Sequence, residues 1–120
     1  IEARNKTFKA GQILENAGIT FGLITDAPFV PIEGQLLQAA LYVKNGLSRE
    51  MALKCLTINN AIITDIDSRV GSLEPGKDAD VVIWDVEPLA TLSQAGIVII
   101  DGQIAYRRKA GESNVDYQKL

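Results

Sequence analysis

Apolar and polar positions change rhythm along this chain, and the change falls near residues 64–72. From Ala10 to Ala17 the spacing of Ile13, Leu14 and Ala17 predicts a short helix, with Gly18 placed to end it. Ile19-Thr-Phe-Gly-Leu-Ile-Thr25 follows at once; it is β-branched and apolar, which predicts a mostly buried strand. Asp26-Ala-Pro-Phe-Val-Pro31 breaks it, because two closely spaced prolines forbid further regular pairing. A helix is expected from about Glu33 to Lys44, on the i,i+4 pairs Leu36/Ala40, Leu37/Leu41 and Ala39/Val43. Asn45-Gly46 ends it. Ser48 is a good N-cap for the next helix, with Glu50 in the first turn and Met51, Ala52, Cys55 and Leu56 as the apolar stripe. Thr57-Ile-Asn-Asn60 interrupts, and Asn60 is expected to cap a last short turn through Ile63.

After Asp65 the texture turns to β. Val81-Val-Ile-Trp84 is a continuous apolar run, the pattern of a strand covered on both faces. Ile97-Val-Ile-Ile100 and Gln103-Ile-Ala-Tyr106 flank Asp101-Gly102, a hairpin signal because a type I′ turn needs positive φ at both central positions. Residues 1–9 read as a polar leading arm, and the residues from Gly111 onward as a frayed tail. A single strand among helices needs neighbouring strands to bury it. The chain therefore reads as part of something larger, which fits its start at Ile-Glu-Ala-Arg without an initiator methionine or signal peptide.

Composition narrows the classes. With 120 residues, 47% hydrophobic and 22% charged, this is the make-up of a soluble globular protein. No apolar run approaches the roughly 20 residues of a membrane span. A net charge of −3 argues against nucleic acid as a partner. The basic cluster Arg107-Arg108-Lys109 is expected to be a solvated strand end. Cys55, the single cysteine, cannot form an internal disulfide, so nothing requires an oxidising compartment and a cytoplasmic location is expected. With no histidine to activate it, Cys55 is expected to be a packing residue.

Candidate chemistry rests on Asp26. It ends the predicted strand, and in an α/β barrel catalytic groups sit at the C-terminal ends of strands. A carboxylate there can bind a divalent metal and take a proton from water. The competing reading is an Asx turn ahead of Pro28, and sequence spacing leaves both open. Asp78 and Asp80 belong to a turn, and Asp65 with Asp67 lacks the rest of a calcium loop. All four read as structural.

Several motifs in one order carry a resemblance. Asn16-Ala-Gly-Ile-Thr-Phe-Gly-Leu-Ile-Thr-Asp-Ala-Pro-Phe-Val-Pro31 is similar to the final barrel strand and loop of metal-dependent amidohydrolases related to imidazolonepropionase. Leu47–Ala61 resembles the helix that follows, Val70–Asp85 the return of the chain into the side domain, and Ile97–Tyr106 its closing hairpin. The resemblance implies an α/β chain: the last strand and helices of a (β/α)8 barrel over residues 1–64, strands of a composite β-sandwich over 65–110, and a tail over 111–120. It implies that Asp26 coordinates a divalent metal, zinc first, and shuttles a proton between water and leaving group. Ala27 departs from the histidine that often follows that aspartate. The other ligands would come from outside these residues, since the chain has no histidine. The expected function is hydrolysis of a non-peptide C–N bond in a small cyclic amide or amidine, with the chain inactive in isolation because one carboxylate cannot hold a catalytic metal. Two other readings stand beside it: a non-catalytic scaffold of the same fold, and a small autonomous interaction module. Self-association through exposed strand edges is also expected.

Overall fold

The computed structural model describes residues 7–109. Helix α1 runs Ala10–Asn16, a single 3-10 turn Ile32–Gly34 leads into α2 (Gln35–Lys44), and α3 (Arg49–Leu56) is followed by α4 (Ile58–Ile63). Strands β1 (Val81–Trp84), β2 (Ala95–Ile100) and β3 (Gln103–Arg107) form an antiparallel sheet in the order β1-β2-β3. The chain is thus α/β, with the helices first and a small sheet after them.

Local chemistry sets most boundaries. Gly18 adopts φ 66°, and the bonds Gly18 N–H to Glu15 O (2.9 Å) and Ile19 N–H to Leu14 O (3.1 Å) close a Schellman end on α1. Ser48 caps α3 as expected, its Oγ accepting from the Met51 N–H at 3.1 Å. The carboxylate of Glu15 reaches across from α1 and accepts both the Ser48 N–H (2.9 Å) and the Ser48 hydroxyl, tying two helices at one cap. Helix α4 also ends in a Schellman motif: Asp65 takes φ 59°, its N–H bonds Ile62 O, and Ile66 N–H bonds Ala61 O. Asp65 is therefore a helix end, where aspartate tolerates the left-handed region.

The Asp101-Gly102 hairpin forms as its dipeptide dictates, with φ 50° and 73° and register Ile100 opposite Gln103. The turn is moored to the 78–80 bend: Asp80 Oδ1 accepts from Asp101 N–H at 2.9 Å, and Gly102 N–H donates to Ala79 O at 3.1 Å. Arg69 pairs with Asp78 across the same bend at 2.5 Å.

Four expectations need correction. Ile19–Thr25 forms no strand, because no other strand lies beside it among the described residues. Asn60 does not cap α4, which begins earlier, at Ile58; its side chain is committed elsewhere. Val81–Trp84 is a strand but is not covered on both faces: Val82 and Ile83 are 42% and 48% exposed. Arg108 is not a solvated strand end. Its guanidinium donates to Asp85 (3.0 Å) and Gln94 (2.5 Å), with the side chain 25% exposed. The proposed tail, 111–120, lies outside the described residues, as does most of the leading arm.

The core sits in the helical half and has one member from far along the chain. Leu23, Ala39, Leu47, Ala52 and Cys55 are buried together with Leu89, which enters from the loop between β1 and β2. Arg49 of α3 pairs with Glu87 at the base of that loop, and Glu87 also accepts the Leu89 N–H at 3.0 Å. Leu89 thus joins the sheet to the helices.

Candidate active site at Asp26

Burial over residues 21–25 alternates: Leu23 and Thr25 are buried, Ile24 is 67% exposed. Period-two alternation marks an extended chain lying on the helical layer. What holds it is not a ladder but side chains. The Phe21 carbonyl accepts from Asn59 Nδ2 (2.9 Å) and Cys55 Sγ (3.2 Å). The Leu23 carbonyl accepts from Gln35 Nε2 (3.0 Å) and Asn60 Nδ2 (3.2 Å). Leu23 N–H donates to Cys55 O at 3.1 Å. Both carbonyls are doubly satisfied, as buried backbone acceptors require.

Gly22 makes the close approach possible. A Cβ there would lie 1.7 Å from Asn60 Oδ1, which would force the amide off the segment. Sequence reasoning missed Gln35, Asn59 and Asn60 in this role. The available signal was the polar Asn59-Asn60 pair set into an otherwise apolar helical stretch.

The fastened segment delivers the chain to Asp26, which is exposed and has φ 59°. Phe29 N–H returns to Asp26 O at 3.1 Å, so the chain turns directly after the carboxylate; the Ala27–Pro28 peptide is cis. Aspartate tolerates the left-handed region, and Asp65 and Asp101 adopt it in ordinary turns, so here it shapes the turn at Asp26. The carboxylate therefore stands at the tip of a reversal whose incoming extended segment is pinned from behind.

The other acids are accounted for structurally. Asp78 pairs with Arg69, Asp80 holds the hairpin turn and Asp65 ends α4. Cys55 is buried, and burial pushes its thiol pKa up, which leaves it protonated and unreactive. Among the described residues no three of His, Cys, Asp or Glu come together as metal ligands. The residues present do not by themselves fit a metal, and Asp26 offers a single carboxylate. No helix is long and apolar enough to cross a membrane. A groove of about 980 Å³ runs between the helices and β1, lined by Ile24, Leu36, Leu56, Ile63, Val82 and Trp84 among others. Ile24 borders it, but Asp26 does not.

The profile of the amidohydrolase family matches residues 3–108. The chain belongs to the amidohydrolase family. This amidohydrolase chain is similar to amidohydrolase tasK of Hapsidospora irregularis, 34% identical over 101 residues, which are 84% of this chain and 10% of that protein. It is 35% identical over 86 residues to the imidazolonepropionase of Shewanella baltica (strain OS185), covering 68% of this chain and 21% of that protein. The crystal structure of an amidohydrolase from Thermotoga maritima MSB8 superposes with a TM-score of 0.86 at 38% identity, over 90% of this chain and 28% of that one. The chain thus spans about a tenth to a fifth of these curated relatives and under a third of the solved structure.

Proposed function

We propose that this chain is the C-terminal portion of a metal-dependent amidohydrolase that hydrolyses a non-peptide C–N bond in a small molecule, and that Asp26 is its catalytic carboxylate. In this reading residues 1–64 supply the end of a (β/α)8 barrel and residues 65–110 strands of its side domain. The observation that carries it is the placement of Asp26: an exposed carboxylate in a left-handed turn, at the end of a segment pinned by Gln35, Asn59 and Asn60, within a chain that matches the family almost throughout. A carboxylate so placed can accept a proton and donate it again without moving its backbone. The divalent metal expected of the family, zinc first, would draw its remaining ligands from outside this chain. The chain alone is therefore expected to be inactive.

A chimera tests this. The matching part of the Thermotoga maritima amidohydrolase is replaced by this chain, and hydrolysis of that enzyme's substrate is measured with and without Asp26→Asn. The chimera is expected to retain activity, and Asp26→Asn to lower kcat by about a thousandfold or more, in the range general acid–base groups contribute with metal-assisted chemistry. An Asp26→Asn chimera as active as its parent refutes the role of Asp26. Metal-dependent hydrolysis by the 120 residues alone refutes the dependence on outside ligands.

A further inference from the structure

The loop that carries Asp26 leaves the helical layer after Leu23 and rejoins it at Gln35, the first residue of α2. Its own hydrogen bonds are local: Phe29 N–H to Asp26 O at 3.1 Å and Gly34 N–H to Pro31 O at 3.0 Å. Gln35 bonds across the base instead, from Nε2 to the Leu23 carbonyl at 3.0 Å, spanning 12 positions of sequence. Side chains in a helix lean toward its N-terminus, so a residue at the start of α2 is aimed back at the loop. Asn59 and Asn60 differ in kind. They come from α4 and fasten the incoming segment to the helical layer before the loop begins. Without Asn60 the base of the loop stays closed by Gln35. Without Gln35 the segment stays fastened by Asn59, Asn60, Cys55 and the Leu23 N–H, and only the base opens.

We propose that Gln35 is a positioning residue for the hydrolysis assigned to Asp26: it clasps the two ends of the loop and so fixes where the carboxylate stands. The proposal rests on the catalytic reading of Asp26. Asp26 follows Leu23 by about 10 Å of extended chain, so a small opening at the base is carried to the tip. Displacing a reacting group by about 1 Å can cost on the order of a hundredfold in rate. Gln35 acts through Asp26 and not on the reacting atoms, because its amide donor is committed to the Leu23 carbonyl. The two donors on that carbonyl thus contribute alike to stability but unequally to turnover. Asn60 holds the segment down, and Gln35 sets the loop.

Two measurements test the clasp, and the first needs no turnover. Gln35→Met keeps the length of the side chain but has no donor. In the 120-residue chain it should speed hydrogen exchange of the Phe29 amide by about fivefold, the opening expected when one net hydrogen bond is lost. Asn60→Ala should speed the same amide by less than about twofold. The second measurement uses the chimera with the Thermotoga maritima amidohydrolase. There Gln35→Met should lower kcat by about thirtyfold with KM within about twofold of the parent, and Asn60→Ala should lower kcat by only about threefold. Gln35→Lys restores a donor and should recover kcat to within about threefold of the parent. Phe29 exchange that is unchanged in Gln35→Met, or raised equally in Asn60→Ala, overturns the proposal whether or not Asp26 is catalytic. Equal losses of kcat in Gln35→Met and Asn60→Ala, a loss confined to KM, or no recovery in Gln35→Lys overturns it as well. An Asp26→Asn chimera as active as its parent removes the catalytic reading alone, and exchange at Phe29 then decides the clasp.

Discussion

Removing both amide donors from the Leu23 carbonyl should destabilise the fold by more than the two single removals combined. Gln35 Nε2 and Asn60 Nδ2 approach the same oxygen at 3.0 and 3.2 Å, and Leu23 itself is 5% exposed. Either Gln35→Ala or Asn60→Ala leaves the oxygen with one donor, so each should cost about 1 kcal/mol, the net worth of a typical hydrogen bond. The double variant leaves a buried carbonyl with none, which adds the desolvation penalty of roughly 1–3 kcal/mol. The sum is about 3–5 kcal/mol for the pair, with a coupling of at least about 1 kcal/mol. Urea unfolding followed by far-UV circular dichroism measures all four proteins of the cycle, and an unchanged m-value shows that the midpoints report stability. Coupling below about 0.5 kcal/mol would refute the reasoning. It would mean that water reaches the carbonyl and that the amides are not what pins the segment ahead of Asp26.

Three further outcomes follow from the same contacts. Gly22→Ala should destabilise the fold by about 1–3 kcal/mol, through overpacking against Asn60, and should cost much less in an Asn60→Ala background, as the same unfolding assay reads. Leu89→Ala should cost about 2–4 kcal/mol, since it empties a site in the helical core; a loss under about 1 kcal/mol would show that the loop is not anchored there. The Ser48 hydroxyl and N–H hold the Glu15 carboxyl below the usual glutamate range, Lys77 does the same for Glu74, and the Gln94 N–H and Arg108 for Asp85. Each lowered pKa contributes stability that is complete above the unfolded-state value and lost as pH falls through the folded one. Glu15→Gln should therefore flatten the acid side of the stability–pH curve and leave its neutral side parallel to that of the parent; an unchanged acid limb would contradict the cap between α1 and α3.

What was legible in the sequence was local. Gly18, Ser48 and Asp101-Gly102 act through their own backbone preferences or nearest neighbours, and the elements they bound formed as expected. The Ile19–Thr25 segment failed as a strand because a strand is a property of pairs, and a β-branched apolar run cannot supply the partner. Asn60 was misjudged for a related reason. As a cap it would bond within its own helix, whereas its partner is Leu23, distant in sequence. The position of Asp26 after an extended segment was readable, but its left-handed backbone and the side-chain grip behind it were not. Arg108 looked solvated in a basic run, and only the fold brings Asp85 and Gln94 to it.

Leu89 has a consequence for the order in which this chain can become native. The helical layer is laid down early in the sequence, yet its core lacks a member until residue 89 arrives from the far side of β1. During synthesis α2 and α3 are complete while that place is still empty, so their apolar faces stay available to solvent or to chaperones. The last contact also spans a long loop, whose closure is slow to reward. A chain stopped before Leu89 should hold helices without a settled interior, and adding the β1–β2 loop should be the step at which the fold becomes cooperative.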